Sequence, residues 1–207
     1  MDDIRNYVIF LSFVIMDIIF ATHNLNKAEE VSAILGPDYH VKNLREIGCP
    51  EIPETADTLQ GNALQKAQYV FDHYHVNCFA DDTGLEVEAL DGRPGVYSAR
   101  YAGEGCSYQD NVLKMLEEMH GVTNRKACFK TVIALILDGK KYFFEGRVEG
   151  EIMTEQHGTD GFGYDPIFKP LGFRQTYAEM SLLSKNTISH RARAMQQLKE
   201  FLANRPQ

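Results

Sequence analysis

The stretch DIIFATHNLNKAEEVSAILG, residues 17–36, sets the architecture. DIIFA, Asp17 to Ala21, reads as a strand whose apolar residues Ile18 to Ala21 suit a buried position. THNLNK follows, and then a segment in which Ala28, Val31, Ile34 and Leu35 share one helical face, closed by Gly36-Pro37. Further along, a second helix is predicted from about Asn62, where Ala63, Ala67, Val70, Phe71 and Tyr74 stand at helical spacing. A short buried strand, NCFA (77–80), and a turn, DDTG (81–84), come next. Ser107-Tyr108-Gln109-Asp110 has the form of a helix N-terminus, with Val112, Leu116 and Met119 on one side of the helix it would open. FKTVIALIL (129–137) and KKYFFEGRV (140–148), joined by Asp138-Gly139, predict a hairpin. Ile188, Ala192, Met195, Leu198 and Leu202 mark a closing amphipathic helix. Strands alternating with helices, plus one hairpin, indicate an α/β fold: a mixed, twisted central sheet flanked by helices, in two lobes around a cleft.

The 207 residues include 44% apolar and 24% charged side chains, ordinary for a globular protein with a real core. A net charge of −8 argues against a protein that coats nucleic acid, because phosphate neutralisation needs a basic surface. A few focused lysines and arginines can still hold a small anion. Cys49, Cys78, Cys106 and Cys128 lie far apart without a CxxC pair, which suits reduced thiols in a cytoplasmic protein. The uncharged run Tyr7–Met16 is too short for a transmembrane helix of about 20 residues. The preceding MDDIRN lacks the basic start of a secretory signal. The expectation is therefore no membrane association, a single domain over residues 16–207 with Met16 as its natural start, and residues 1–15 as an upstream extension.

Four segments gather chemistry, and each has a plainer reading beside it. Thr22, Asn24 and Lys27 lie where the first strand gives way to a helix, whose N-terminal N–H groups and partial positive charge suit phosphate. An Asn cap followed by a solvated lysine explains the same residues, and no GxxxxGK[ST] loop exists in the chain. Asp81 and Asp82, at the end of an apolar strand, are hard to explain as packing, because buried like charges repel. Neighbouring side chains on an extended chain point opposite ways, so one of the two faces the cleft, where it could hold magnesium or orient a water. An Asp-rich turn is the alternative. In Gly161-Phe162-Gly163-Tyr164-Asp165 two glycines let an aromatic ring stand clear for a base to stack on, or simply build a loop around a core Phe. Lys185, His190 and Arg191 group donors near the last helix, where a solvated helix start would look alike.

The order of the segments is more specific than any one of them. FATHNLNK (20–27), FADDTGLEVEALDGRPGVYSARYAGE (79–104), GTDGFGYDPIF (158–168) and KNTISHRARA (185–194) closely resemble the inosine/xanthosine triphosphate pyrophosphatase family, the HAM1-like family, over nearly the whole chain from Met16. The resemblance implies an enzyme that hydrolyses non-standard purine nucleoside triphosphates (ITP, dITP, XTP) to monophosphate and pyrophosphate, with Mg2+ as cofactor, as a homodimer. Carried over residue by residue, it implies that Thr22, Asn24, Lys27, Asn62 and Lys66 hold the triphosphate. Asp82 looks like the family's catalytic acidic residue and a metal ligand, with Glu54 the second metal-associated carboxylate and Thr83 close to substrate. Phe162, Gly163, Tyr164 and Asp165 match the base-pocket segment, and Lys185, His190 and Arg191 match the residues that read the base. Gly61 departs from the pattern, since many members carry Glu before the Asn. Two other readings compete: a nucleotide sensor without turnover, which would not need Glu54 and Asp82, and a pyrophosphatase for other modified nucleotides.

Overall fold

Strand β1 (Met16–Phe20) runs into helix α1 (Leu25–Leu35), and the chain returns as β2 (Tyr39–Asn43), parallel to β1. The computed structural model describes residues 16–204, so the expectation for residues 1–15 lies outside the described residues. Asn24 caps α1 by accepting from Lys27 N–H, and Gly36 ends it at φ +77°, a backbone angle that costs glycine nothing. Helix α2 (Leu59–Tyr74) begins a turn earlier than the apolar spacing suggested, because Thr58 supplies the cap by accepting from Gly61 N–H. A side chain at Gly61 would sit 2.6 Å from Ala56 Cβ, which accounts for glycine at this position.

The next strand, β3 (Cys78–Val87), corrects the sequence reading. DDTG is no turn; it is the middle of a ten-residue strand paired along its length with β5 (Lys126–Leu137). Hydrogen-bond donors on both faces of the strand, Lys27 and Arg191 for Asp81 and Asn62 for Asp82, let it carry the two aspartates through the interior. Between these strands lie β4 (Pro94–Gly95), antiparallel to β3, and α3 (Tyr108–Glu118), whose Ser107 and Asp110 form a reciprocal capping box. The hairpin partner of β5 is β6 (Lys140–Ile152), and its two-residue turn places Asp138 at φ +51° and Gly139 at φ +75°. After β7 (Phe168–Pro170) come α4 (Leu182–Ile188) and α5 (His190–Ala203). The predicted closing helix is thus two helices, with Ile188 and Lys185 on the first. Ser189, extended at ψ 158°, ends α4 and caps α5.

The sheet runs β2-β1-β3-β5-β6-β7, with β4 on β3 as well. Strand alternation sorts its faces. Ile19, Cys78, Ala80, Ala134 and Ile136 pack against Ala63, Ala67 and Val70 of α2. Ile18, Phe20, Phe79, Ile133 and Leu135 face Val31 and Leu35 of α1 and Met195 and Leu198 of α5. A separate core, built on Leu85, Phe129, Ile167, Phe168 and Tyr177 with Val112 and Met115 of α3, forms the second lobe. The long strands β3, β5 and β6 connect the lobes. Among the described residues no helix is long and apolar enough to cross a membrane.

Candidate active site

The cleft comes from a split in the sheet. Parallel to β3, β1 stays paired with it only as far as Phe20 opposite Phe79, and β4 takes up the same edge at Leu85. On the intervening edge of β3, Asp82 and Thr83 line a cavity of about 690 Å³. Parallel strands commonly bind ligands beyond such carboxyl ends. Thr22, Asn24, Lys27, Glu54, Lys66, Asp82, Thr83, Phe162, Gly163, Tyr164, Asp165, Lys185, His190 and Arg191 all line it. Of the predicted site residues only Asn62 is absent from the wall, and it hydrogen-bonds a residue that lines it.

Alternation along β3 sends the two aspartates to opposite faces. Asp81, on the face of α1 and α5, is 1% exposed and accepts from Lys27 Nζ at 2.8 Å and Arg191 Nε at 3.0 Å. Burial works against its charge, yet Lys27, Arg191 and Lys66 together hold its carboxyl well below the usual carboxylate range. From Asp81 an alternating chain of charges continues. Arg191 Nη1 donates to Glu30 and its Nη2 to Thr83 Oγ1 at 3.1 Å. Lys185 Nζ bonds Glu30 at 2.7 Å and Asp165 at 2.6 Å. Each buried ion of the chain thereby has an opposite neighbour, the condition for keeping charge out of water. The solvated helix start read around Lys185, His190 and Arg191 is overturned, since all three are buried.

Asp82 points to the α2 face. Asn62 Nδ2 donates to its Oδ2 at 3.0 Å and Thr83 N–H to its Oδ1 at 2.9 Å. Beside it, Lys66 Nζ pairs with Glu54. Burial raises the Asp82 carboxyl above its ordinary value; Lys66 and Lys27 draw it back and Glu54 pushes it up again. Burial pushes the Glu54 carboxyl up, but Lys66, by charge and hydrogen bond, and Lys27 together hold it below its ordinary value. Asp82 therefore differs from Asp81: among the described residues no cation stands in ion-pair contact with it. It is a cleft-facing carboxylate with spare negative charge.

At the other end of the cleft, the φ values of Gly161 (+76°) and Gly163 (+63°) turn the loop around Phe162. The Asp165 side chain accepts from Phe162 N–H at 2.9 Å and so holds the loop to Lys185. Lys185 Nζ lies 5.0 Å from the Phe162 ring centre and the Arg191 guanidinium 5.8 Å. Burial raises the Asp165 carboxyl despite Lys185. His190 stacks on Phe129 at 4.5 Å, and burial with Arg191 and Lys185 nearby holds its ring neutral. Tyr164 is anchored from below, its hydroxyl donating to Ser98 O at 2.9 Å.

Sequence reasoning missed Glu30, the acid that ties Lys185 to Arg191. Its signal was its helical phase: it lies one turn beyond Lys27 and beside Val31, at the margin of the buried stripe of α1. It also missed Thr131, whose hydroxyl meets that of Thr83 at 2.7 Å from the opposite register position on β5, and Tyr108 at the cleft mouth.

Known proteins resemble this chain in sequence and fold. A model of the Ham1 family matches residues 18–201. A dITP/XTP pyrophosphatase of Porphyromonas gingivalis is 58% identical over 187 residues, 89% of this chain and 96% of its own length. One from Flavobacterium johnsoniae is 53% identical over 90% of this chain and 98% of its own. Among solved structures, a HAM1 protein from Coxiella burnetii superposes with a TM-score of 0.84 at 36% identity, covering 92% of this chain and all of that one (100%). The Staphylococcus aureus Ham1 protein gives 0.81 at 40%, covering 90% and 98%. With a family model matched over residues 18–201 and relatives more than half identical along nearly their whole length, the chain belongs to the Ham1 family.

Proposed function

We propose that this protein hydrolyses non-standard purine nucleoside triphosphates, ITP, dITP and XTP, to the monophosphate and pyrophosphate. The observation that carries the reading is Asp82: a buried carboxylate facing the cleft, bonded by neutral donors, and flanked by Glu54, Lys66 and Lys27. Its relatives in Porphyromonas gingivalis and Flavobacterium johnsoniae carry the name dITP/XTP pyrophosphatase.

Thr22, Asn24 and the start of α1 receive the triphosphate, with Lys27, Lys66 and Asn62 along its flank. Asp82 orients a water and takes its proton as the water attacks; the P–O bond between the α and β phosphates breaks, and pyrophosphate leaves. Glu54 and Asp82 are the residues that would hold magnesium. Among the described residues no three His, Cys, Asp or Glu side chains gather as a metal cage. Two carboxylates of one sign suit an ion that takes one or two protein carboxylates and completes its shell with water and phosphate. When bound, magnesium neutralises charge on the phosphate oxygens.

Phe162 stacks on the base, with Thr83, Gly163, Tyr164 and Asp165 around it. Donors of Lys185, His190 and Arg191 meet the oxygen at purine position 6, where adenine presents an amino group instead. A hydrogen-bonding site of this kind discriminates by about 10⁴-fold. We read the protein as a cytoplasmic homodimer that acts on free nucleotides. Four free thiols fit a reducing compartment, and size-exclusion chromatography tests the dimer.

The test is product analysis with magnesium and ITP, XTP, GTP or ATP supplied separately. Monophosphate and pyrophosphate from ITP and XTP, with little from ATP and GTP, is the expected result. Tight ITP binding without products would establish a sensor. Asp82→Asn should abolish turnover while ITP binding survives; near-normal turnover in that variant would move the role to another residue.

A further inference from the structure

Tyr108 is a large aromatic residue that no core claims. It is the first residue of α3, 42% exposed, and it lines the cleft. The backbone beneath it is fixed. Ser107 and Asp110 cap the helix reciprocally, and buried Asn111 ties α3 to the preceding loop by accepting from Ala102 N–H at 2.7 Å and donating to Ala99 O at 3.0 Å. From this base the side chain spans the cleft mouth. Its hydroxyl accepts from Asn24 Nδ2 at 2.9 Å, and its ring centre lies 5.8 Å from that of Phe162, tilted by 47°.

Asn24 belongs to the end of the cleft that takes the triphosphate, and Phe162 to the end that takes the base. The part of a nucleotide between triphosphate and base is the sugar. We infer that Tyr108 is a positioning residue that covers the sugar and the adjoining edge of the base in the bound nucleotide, a contact to the nucleoside and not to the phosphates. The inference rests on the function proposed above. A ring separation of 5.8 Å is too narrow for a base to enter between two parallel rings, which need about twice a van der Waals contact of 3.5 Å. Tyr108 therefore swings from Asn24 as the nucleotide enters and closes over its open side. Asn24 loses nothing structural by this, because its Oδ1 continues to cap α1 through Lys27 N–H at 3.2 Å.

The experiment compares wild type, Tyr108→Ala and Tyr108→Phe in two measurements: steady-state kinetics on ITP and dITP, and calorimetric binding of inorganic tripolyphosphate, which has the phosphates without the nucleoside. An aromatic cover is worth roughly tenfold in affinity. Tyr108→Ala should raise KM for both nucleotides about tenfold with kcat within about twofold, and Tyr108→Phe should restore most of the loss. Tripolyphosphate should bind all three proteins alike. An unchanged KM in Tyr108→Ala overturns the inference, and so does an equal loss of tripolyphosphate affinity, which would place the effect in the phosphate loop through Asn24. If wild type binds ITP no better than tripolyphosphate and forms no products, the proposed function fails, a result distinct from any change among the variants.

Discussion

Replacing Gly146 by alanine tests how the site is held together. Gly146 lies on β6, opposite Thr131 of β5, beneath the first turn of α5. A Cβ at this position would stand 2.0 Å from His190 O and 2.6 Å from Ala194 N, both backbone atoms of α5. Ordinary contact begins at 3.4 Å, so the helix start must retreat by about 1.4 Å. No side-chain rotation can relieve the contact, because neither atom belongs to a side chain. Overpacking of this kind costs about 3 kcal/mol, the upper end of its usual range, since a helix has to move as a body. The retreat also carries His190 and Arg191 with it. A displacement of roughly an ångström at positioned groups lowers rate by about 10²-fold. Urea denaturation should show the loss of stability at unchanged slope, and kcat/KM on ITP should fall in parallel, measured well below the denaturation midpoint. A variant with stability within about 0.5 kcal/mol of wild type and full activity would overturn this account, because it would mean that α5 does not rest on β6 as closely as the contact requires.

The buried charges give three further expected outcomes. Arg191→Lys should destabilise the protein by about 3 kcal/mol in chemical denaturation, because one ammonium cannot serve Asp81, Glu30 and Thr83 at once and leaves buried carboxylates underpaired. Asp81 titrates in the fold well below its unfolded value of about 3.9, so its contribution to stability is full above that value and is lost as pH falls toward the folded one. The difference in melting temperature between wild type and Asp81→Asn should accordingly be large at pH 7 and shrink below about pH 4; a difference independent of pH would refute the assignment. His190 is held neutral by burial, then by Arg191 and Lys185, so its ring signals in NMR should show no titration between about pH 5 and 8, where a free imidazole titrates; a midpoint in that window would contradict the buried, neutral ring.

Much of this was readable in the chain. The apolar spacing of α1, the Asp138-Gly139 turn and the capping box at Ser107 are local signals, and the structure carries each of them. The misreadings are also local in origin. DDTG has turn composition, and only the β5 ladder with the polar groups on both sides turns it into strand. The spacing from Ile188 to Leu202 runs smoothly through Ser189, whose extended backbone breaks the helix so that Lys185 can reach Glu30 and Asp165. Glu30 differs from its neighbour Glu29 in phase alone, and phase does not name a partner.

Local sequence dictates where most strands and helices form, which stripe of each is apolar, and that Asp81 and Asp82 point to opposite faces, because backbone preference and side-chain periodicity are set by near neighbours. The family, too, was legible from the order of its motifs. Which carboxylate is neutralised, and which is left for chemistry, was settled by tertiary packing alone. Lys185 and Glu30 are 155 residues apart, Arg191 and Asp81 are 110, and Lys27 and Asp81 are 54. Their meeting depends on sheet order and on how closely α1 and α5 approach β3. An ion pair is a matter of distance across the core, and no local pattern encodes that distance.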